Sequence, residues 1–154
     1  TVRVIPAVRD PTSSCVDEDG CDAERAISCA FEACGVTFDG PVNDCAVDFL
    51  VCADTTTFTD GPTLISDCSS AAGITERTVT KCFDGDEGDT LLQAAADLFN
   101  AQYPGSATIP AVAIDQTAVD SPSYATVEAA ACAAGSKADV CSSKKTARKS
   151  SCVV

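Results

Sequence analysis

Histidine is absent from the 154 residues of this chain, as are methionine and tryptophan. Without histidine, the chain cannot form Ser-His or Cys-His catalytic pairs, histidine-ligated metal sites or a histidine switch near neutral pH. No two cysteines have the Cys-x-x-Cys spacing of a redox dithiol. Long apolar runs are also missing, since those at 109–114 and 127–135 fall well short of the roughly 20 residues that cross a bilayer. We therefore predict no membrane span.

Basic residues are few, with 10 Lys and Arg against 23 Asp and Glu and a net charge of -13. Because such a chain repels phosphate, we predict neither nucleic acid nor an anionic membrane as a partner. Half of the basic residues lie together, namely Lys137, Lys144, Lys145, Arg148 and Lys149. We interpret this stretch as a solvated tail tied down by Cys141 and Cys152, and the alternative is a cationic arm that docks on the acidic body of a neighbouring copy.

Cysteine is abundant, with 11 residues spread along the chain, which predicts disulfides in an oxidising compartment. We expect a secreted or extracellular protein, or one in a lysosome-like lumen. An odd count leaves one cysteine unpaired or bonded to another chain. The spacing argues against zinc, because no Cys-x2-Cys pairs occur. The candidate disulfide residues are Cys15, Cys21, Cys29, Cys34, Cys45, Cys52, Cys68, Cys82, Cys132, Cys141 and Cys152.

Apolar spacing predicts a chain of helices with few strands. The predicted helices cover 23–34, 41–53, 64–72, 75–81, 87–101 and 123–134. The predicted strands cover 2–8, 108–115 and 117–120. This mixture favours a sheet flanked by helices.

Two acidic clusters invite a calcium interpretation that their spacing does not support. From Asp84, an EF-hand loop would need a ligand where Gly88 stands and a glutamate where Ala95 stands. We interpret the acids at 84–89 as groups that stabilise a helix N-terminus, and those at 17–19 as a solvated turn. We therefore predict no metal and no cofactor. Candidate acceptors of O-linked glycans lie at 13–14, 55–57, 69–70 and 142–143.

Several short motifs occur in a fixed order along the chain. They are Cys15-Val-Asp-Glu-Asp-Gly-Cys21, Ala26-Ile27-Ser28-Cys29, Cys68 and Cys82 around Ala72-Gly73-Ile74, Cys82-Phe-Asp-Gly85-Asp-Glu-Gly88, Tyr103-Pro104, Ile109-Pro110-Ala-Val-Ala-Ile114 and Ala138-Asp-Val-Cys141. Together they resemble the gamma-interferon-inducible lysosomal thiol reductase (GILT) family. The first motif is one residue shorter than the family's Cys-Gln-His-Gly signature region and lacks its Gln and His.

The resemblance implies an α/β fold with a thioredoxin-like sheet and a disulfide-rich helical insertion at about 12–82. It implies one domain over 1–136, followed by the basic tail 137–154. Residues 2–8 would form the second strand and 110–114 the third. Ile109, Pro110 and Ala111 would form a cis-proline turn, which in the family presents backbone groups to a substrate peptide. We favour a purely structural use of that turn here.

The family's redox Cys-x-x-Cys, with its first strand and helix, would lie before Thr1, so the resemblance implies that this strand is absent from the given chain. Since that strand is central, its neighbours would expose unpaired backbone groups at about 1–3 kcal/mol each. A cleaved piece of the precursor, a rearranged segment or a strand from another copy would have to replace it. We predict no catalytic residue and a structural role, as a homo-oligomer or filament.

Two other functions stay open. The first is a thiol-disulfide reductase whose catalytic segment lies upstream of the given sequence, and the second is a small secreted binding module. Cys29 and Cys34 are the closest pair, but they stand near the end of a predicted helix, where the dipole disfavours a thiolate. A structural bridge, for example Cys34 to Cys45, is the preferred interpretation of such cysteines.

Overall fold

The structure, a computed structural model, describes residues 2–11, 14–15, 21–105, 111–115 and 117–141, with the backbone alone at 14 and 15. The chain divides into two compact units, residues 1–106 and residues 107–154. The boundary predicted from the sequence, between domain and basic tail, lies at residue 136. Residues on both sides of that position belong to the second unit, where the disulfide between Cys132 and Cys141 spans it.

Helices make up most of the first unit. They are α1 (Asp22–Ala33), α2 (Asp44–Thr55), α3 (Gly61–Cys68), α4 (Glu76–Phe83) and α5 (Asp86–Gln102). Each overlaps a predicted helix, and the ends differ by four residues or fewer. None of the helices in the described part of the chain combines the length and the apolar surface that a membrane crossing requires.

Local side-chain chemistry sets the ends of these helices. The Asn43 side chain accepts a hydrogen bond from the N–H of Ala46 at 3.0 Å, so α2 begins after Asn43 and not at Pro41. Asp60 caps α3 in the same way. Gly35 has a φ of 68° and ends α1, because a residue without a Cβ adopts this left-handed conformation without strain.

Strands are short in both units. In the first unit, β1 (Val8–Asp10) pairs antiparallel with β2 (Ser14–Cys15). In the second, β3 (Ala113–Ile114) pairs antiparallel with β4 (Thr117–Ala118). The described residues thus form a mainly helical structure with two small antiparallel sheets.

The predicted strands are wrong in extent. Of the strand expected at 2–8, only Val8 belongs to a strand, β1. Pro6 has no N–H to pair with a neighbouring strand, and its carbonyl accepts the N–H of Val8 at 3.0 Å. Among the described residues, the strand expected at 108–115 covers Ala113–Ile114 and the one at 117–120 covers Thr117–Ala118. Residues 106–110 lie outside the described part.

The core of the first unit surrounds α1, which packs against α2, α3, α4 and α5. Its residues Ala26, Cys29 and Ala30 join buried side chains of α2, α3 and α4 in one cluster, which includes Phe49. Its residue Phe31 joins a second cluster with side chains of β1 and α5. A single helix therefore supplies one wall of both clusters.

Arg9 ties β1 to α5. Its guanidinium donates to the side-chain oxygen of Asn100 at 2.8 Å and to the carbonyl of Tyr103 at 2.6 Å. It also lies over the Phe99 ring, 4.5 Å from the ring centroid. The Asn100 amide in turn donates to the carbonyl of Arg9 at 3.0 Å. One of the few basic side chains of this unit is therefore committed to holding the fold together.

The second unit is built from a hairpin and a helix. The β3–β4 turn contains Asp115 with a φ of 48°, and α6 (Tyr124–Ala133) follows. Ser123 and Thr126 form a reciprocal capping box at the start of α6. At its other end, Gly135 has a φ of 89° and the chain returns to place Cys141 against Cys132.

Disulfides join most of these helices. Cys34–Cys45 links the end of α1 to the start of α2, and Cys52–Cys68 links α2 to α3. Cys29–Cys82 links α1 to α4, and Cys132–Cys141 closes the second unit. Cys21 is also disulfide-bonded, with a partner outside the described side chains. A chain this rich in disulfides is typical of an oxidising compartment.

The bridge between α1 and α4 should contribute more stability than the bridge between α1 and α2. Cys29–Cys82 closes a separation of 53 residues, whereas Cys34–Cys45 closes 11. Loop-closure entropy predicts losses of about 4 and about 3 kcal/mol for the two paired Cys→Ala variants. Burial should increase the loss at Cys29–Cys82 further, since both of these cysteines are buried. Urea unfolding of the two double variants measures the difference, and a larger loss at Cys34–Cys45 would contradict it.

The cap of α3 should make stability depend on pH. Thr63 donates its backbone N–H to the Asp60 carboxylate at 2.8 Å, and this bond lowers the pKa of Asp60 below its ordinary value. A lowered pKa means that the stabilisation is present at neutral pH and disappears as the pH falls through the folded-state pKa. We therefore expect Asp60→Ala to destabilise the protein at pH 7 and to have little effect at about pH 2. Urea midpoints at both pH values check this, with Asp67→Ala, at an exposed position late in α3, as the control.

Candidate functional site

All nine cysteines from Cys21 to Cys141 are disulfide-bonded. Cys29 and Cys34, the closest pair in the sequence, are bonded not to each other but to Cys82 and Cys45. The bridge given above as an example, Cys34–Cys45, is thus present. Cys15 and Cys152 have side chains outside the described residues.

The two cysteines of the motif around Ala72-Gly73-Ile74, Cys68 and Cys82, belong to two different bridges. Cys68 bonds to Cys52 of α2, whereas Cys82 bonds to Cys29 of α1. Between them, Gly73 has a φ of 69° and forms the turn from α3 to α4. These cysteines therefore serve to attach the two shortest helices of the unit.

The candidate cis-proline turn lies largely outside the described residues. Ile109 and Pro110 lie outside the described residues, whereas Ala111 is described and is half-buried just before β3. The structural use favoured above and the substrate binding that the resemblance implies both stay predictions.

The candidate glycan acceptors differ in accessibility. Ser69 is buried and its hydroxyl donates to the carbonyl of Ile65 at 2.6 Å, so it is unavailable for modification in the folded chain. Thr55 is exposed, but its hydroxyl donates to the carbonyl of Val51 at 2.7 Å. Ser70 and Thr57 are exposed. The pairs 13–14 and 142–143 have side chains outside the described residues.

The acidic cluster at 84–89 is organised by Arg25 of α1. The guanidinium contacts the Asp89 carboxylate at 2.6 Å and donates to the carbonyl of Gly85 at 2.9 Å. It also lies 5.5 Å from the centroid of the Phe83 ring. A Cβ at Gly88 would fall 2.5 Å from Arg25 Nε, so only glycine admits this close approach.

No group of carboxylates and cysteines in the described ranges is arranged to hold a metal ion. At the start of α5, Asp86, Glu87 and Asp89 lie in the first turn, where negative charge is favoured by the helix dipole. The cluster at 17–19 lies outside the described residues. The acids near Arg25 therefore have a structural explanation.

Removing Arg25 should cost more stability than removing its ionic partner. The Asp89 side chain is 67% exposed, so the ion pair itself is worth less than about 1 kcal/mol. Arg25 also supplies a hydrogen bond and a ring contact, which together raise the expected loss for Arg25→Ala to about 2 kcal/mol. Chemical unfolding of Arg25→Ala and Asp89→Asn compares the two. Equal losses would show that the ion pair alone matters.

A groove on the first unit is lined by residues of α1, α5 and the loop that follows α1, and we call it the α1–α5 groove. Leu91, Ala94 and Leu98 of α5 form one wall, and Val36 and Phe38 from the loop after α1 form the other. The three α5 side chains are half-buried, whereas Val36 and Phe38 are buried. Its volume of about 220 Å³ is below the roughly 300–1,000 Å³ of small-molecule sites. It suits an inserted side chain better than a cofactor.

Two carboxylates stand on the rim of this groove. Glu32, on the last turn of α1, and Asp39, in the loop between α1 and α2, both line it and are exposed. Neither has an ion pair or a side-chain hydrogen bond to any residue that the structure describes. Ser28 also lines the groove, but its hydroxyl donates to the carbonyl of Glu24 at 2.6 Å. The groove thus has an apolar floor, formed by the side chains of its two walls, and a negatively charged rim, formed by Glu32 and Asp39.

Sequence reasoning missed this groove. The periodicity predicts a helix at 87–101 but does not indicate which of its leucines border a groove. In the structure, Leu92 is 3% exposed, whereas Leu91 and Leu98 lie at the groove edge. Helical spacing offered little signal, because Leu91 and Leu98 also pack against the core cluster that contains Leu92. The loop residues that complete the groove, Val36 and Phe38, are distant from these leucines in the sequence.

Comparison with protein-family models, with curated proteins and with solved structures finds no match to this chain.

Proposed function

We propose that this chain is a secreted, disulfide-stabilised structural protein that assembles with copies of itself and has no redox centre of its own. The observation that carries the proposal is that every described cysteine from Cys21 to Cys141 is disulfide-bonded, in bridges that fasten helices. Thiol-disulfide reduction requires an attacking thiolate with a resolving partner nearby. In this proposal the cysteines form structural disulfides.

Charge supports assembly between copies. Residues 1–106 carry 19 acidic and five basic residues, a net charge of -14. Residues 142–154 carry four basic residues and no acidic one. Opposite charges segregated in this way attract different regions of neighbouring molecules at moderate ionic strength.

A GILT-like ancestry and a thioredoxin-like fold belong to the same proposal. They are supported by the order of the motifs along the chain and by disulfide-bonded helices in the region expected for the insertion. The secreted location is supported by the number of disulfides. In this proposal the former enzyme scaffold has been kept as a building block, as an oligomer or a filament.

Self-assembly should be visible as a salt-dependent oligomer. We expect the full chain under non-reducing conditions to sediment as a species larger than 15.7 kDa in 50 mM salt, and to dissociate at about 1 M salt because screening weakens exposed charge pairs. Analytical ultracentrifugation measures this. Replacing Lys144, Lys145, Arg148 and Lys149 by Gln should shift the equilibrium toward monomer. The control replaces Lys81 and Arg77, which lie outside this segment, by Gln. A monomer at every salt concentration would overturn the assembly proposal.

The same preparation separates the structural protein from an enzyme. In an insulin reduction assay with dithiothreitol, we expect no rate above the reductant alone. Turnover by the chain would favour the thiol reductase instead. A monomer that is also inactive would favour the small binding module.

A further inference from the structure

We propose that the α1–α5 groove is the receiving surface for the basic segment, residues 142–154, of a second copy of this chain. This inference rests on the proposed function, because it supplies the contact through which copies would associate. The groove offers two features, an apolar floor and rim carboxylates that have no ion pair with any residue in the described ranges. A partner must match both.

The rim selects a cationic partner. Glu32 and Asp39 are exposed and have no ionic partner among the described residues, and the surrounding unit is strongly acidic. An anionic partner would therefore be repelled. The basic segment contains Lys144, Lys145 and Arg148 within five positions and no acidic residue.

Other basic residues of the chain do not offer such a run. Arg9 and Arg25 are used within the first unit, where they bond to Asn100 and Asp89. Arg3 is isolated in the sequence from any other basic residue by five positions. Arg77 and Lys81 form a pair four positions apart, and Lys137 stands seven positions before Lys144. The segment 144–149, with four basic residues in six positions, is thus the densest positive charge in the sequence.

The floor selects small apolar side chains. This floor is formed by leucine, alanine, valine and phenylalanine side chains, and the groove volume of about 220 Å³ accommodates one or two side chains of valine size. The same basic segment carries Val153 and Val154 a few residues beyond its charges. Burial of these side chains adds affinity that salt does not screen.

The test uses a fluorescent synthetic peptide with the sequence of residues 142–154 and Cys152 replaced by Ser. Fluorescence anisotropy measures its binding to the full chain, and this binding should weaken as salt is raised. We expect Glu32→Lys with Asp39→Lys to weaken binding at least about tenfold, since two attractive contacts become repulsive. Both positions are exposed, and circular dichroism checks that the variant folds.

The matched control changes the net charge equally at other exposed sites. Asp54→Lys with Asp67→Lys alters α2 and α3 outside the groove and should change the affinity less than about threefold. A peptide in which Lys144 and Lys145 are replaced by Glu should regain binding to the Glu32→Lys, Asp39→Lys chain. Equal losses in both variants would overturn the groove as the site and indicate diffuse attraction.

The apolar contact is tested from the peptide side. A peptide with Val153→Ser and Val154→Ser should bind at least about fivefold more weakly, and its residual binding should be abolished at high salt. Unchanged affinity would overturn the role of the floor. Because only the peptide changes, loss of folding cannot explain the result.

Sedimentation of the same variants separates this inference from the proposed function. If the Glu32→Lys, Asp39→Lys chain assembles as well as the parent, the groove is the wrong surface and self-assembly stands. If the parent chain stays monomeric while the peptide binds the groove, a second copy is the wrong partner and the self-assembly proposal fails with it. Joint loss of peptide binding and assembly supports both.

Discussion

The Cys29–Cys82 bridge joins the central helix α1 to α4 and fixes the helix on which both core clusters depend. Helices α3 and α4 have eight residues each, and helices of this length are unstable in isolation. Their stability must come from tertiary contacts. A disulfide supplies such a contact by lowering the entropy of the unfolded chain, and each short helix has one.

Charge explains why the covalent frame is needed. A first unit with a net charge of -14 repels itself, and this repulsion favours the expanded chain. Among the described residues, Arg9 and Arg25 relieve part of it at inner positions, each with an aromatic ring nearby. The disulfide bridges offset the remaining repulsion by destabilising the expanded chain. The exposed carboxylates can therefore stay unneutralised within the unit.

Helices were the most predictable elements, because their signals are local. The helices predicted at 23–34 and 87–101 each depend on the spacing of residues within a few positions, and the structure has α1 and α5 with ends within one residue of those ranges. Strands were less predictable. The strand β1 is defined by the pairing of Val8 with Cys15, seven positions away, so apolar composition at 2–8 gave the wrong extent. The groove was missed because it lies between elements distant in the sequence.

The sequence by itself determined the helical periodicity, the segregation of charge and the lack of a Cys-x-x-Cys dithiol, since these are properties of composition and spacing. Only the tertiary structure decided which cysteines bond, because Cys29 has several possible partners and contact with Cys82 arises from the packing of α1 on α4. It also decided that Leu91 and Leu98 border a groove while Leu92 is buried. The physical reason is that burial and pairing depend on distances between residues far apart in the chain, which local patterns do not contain.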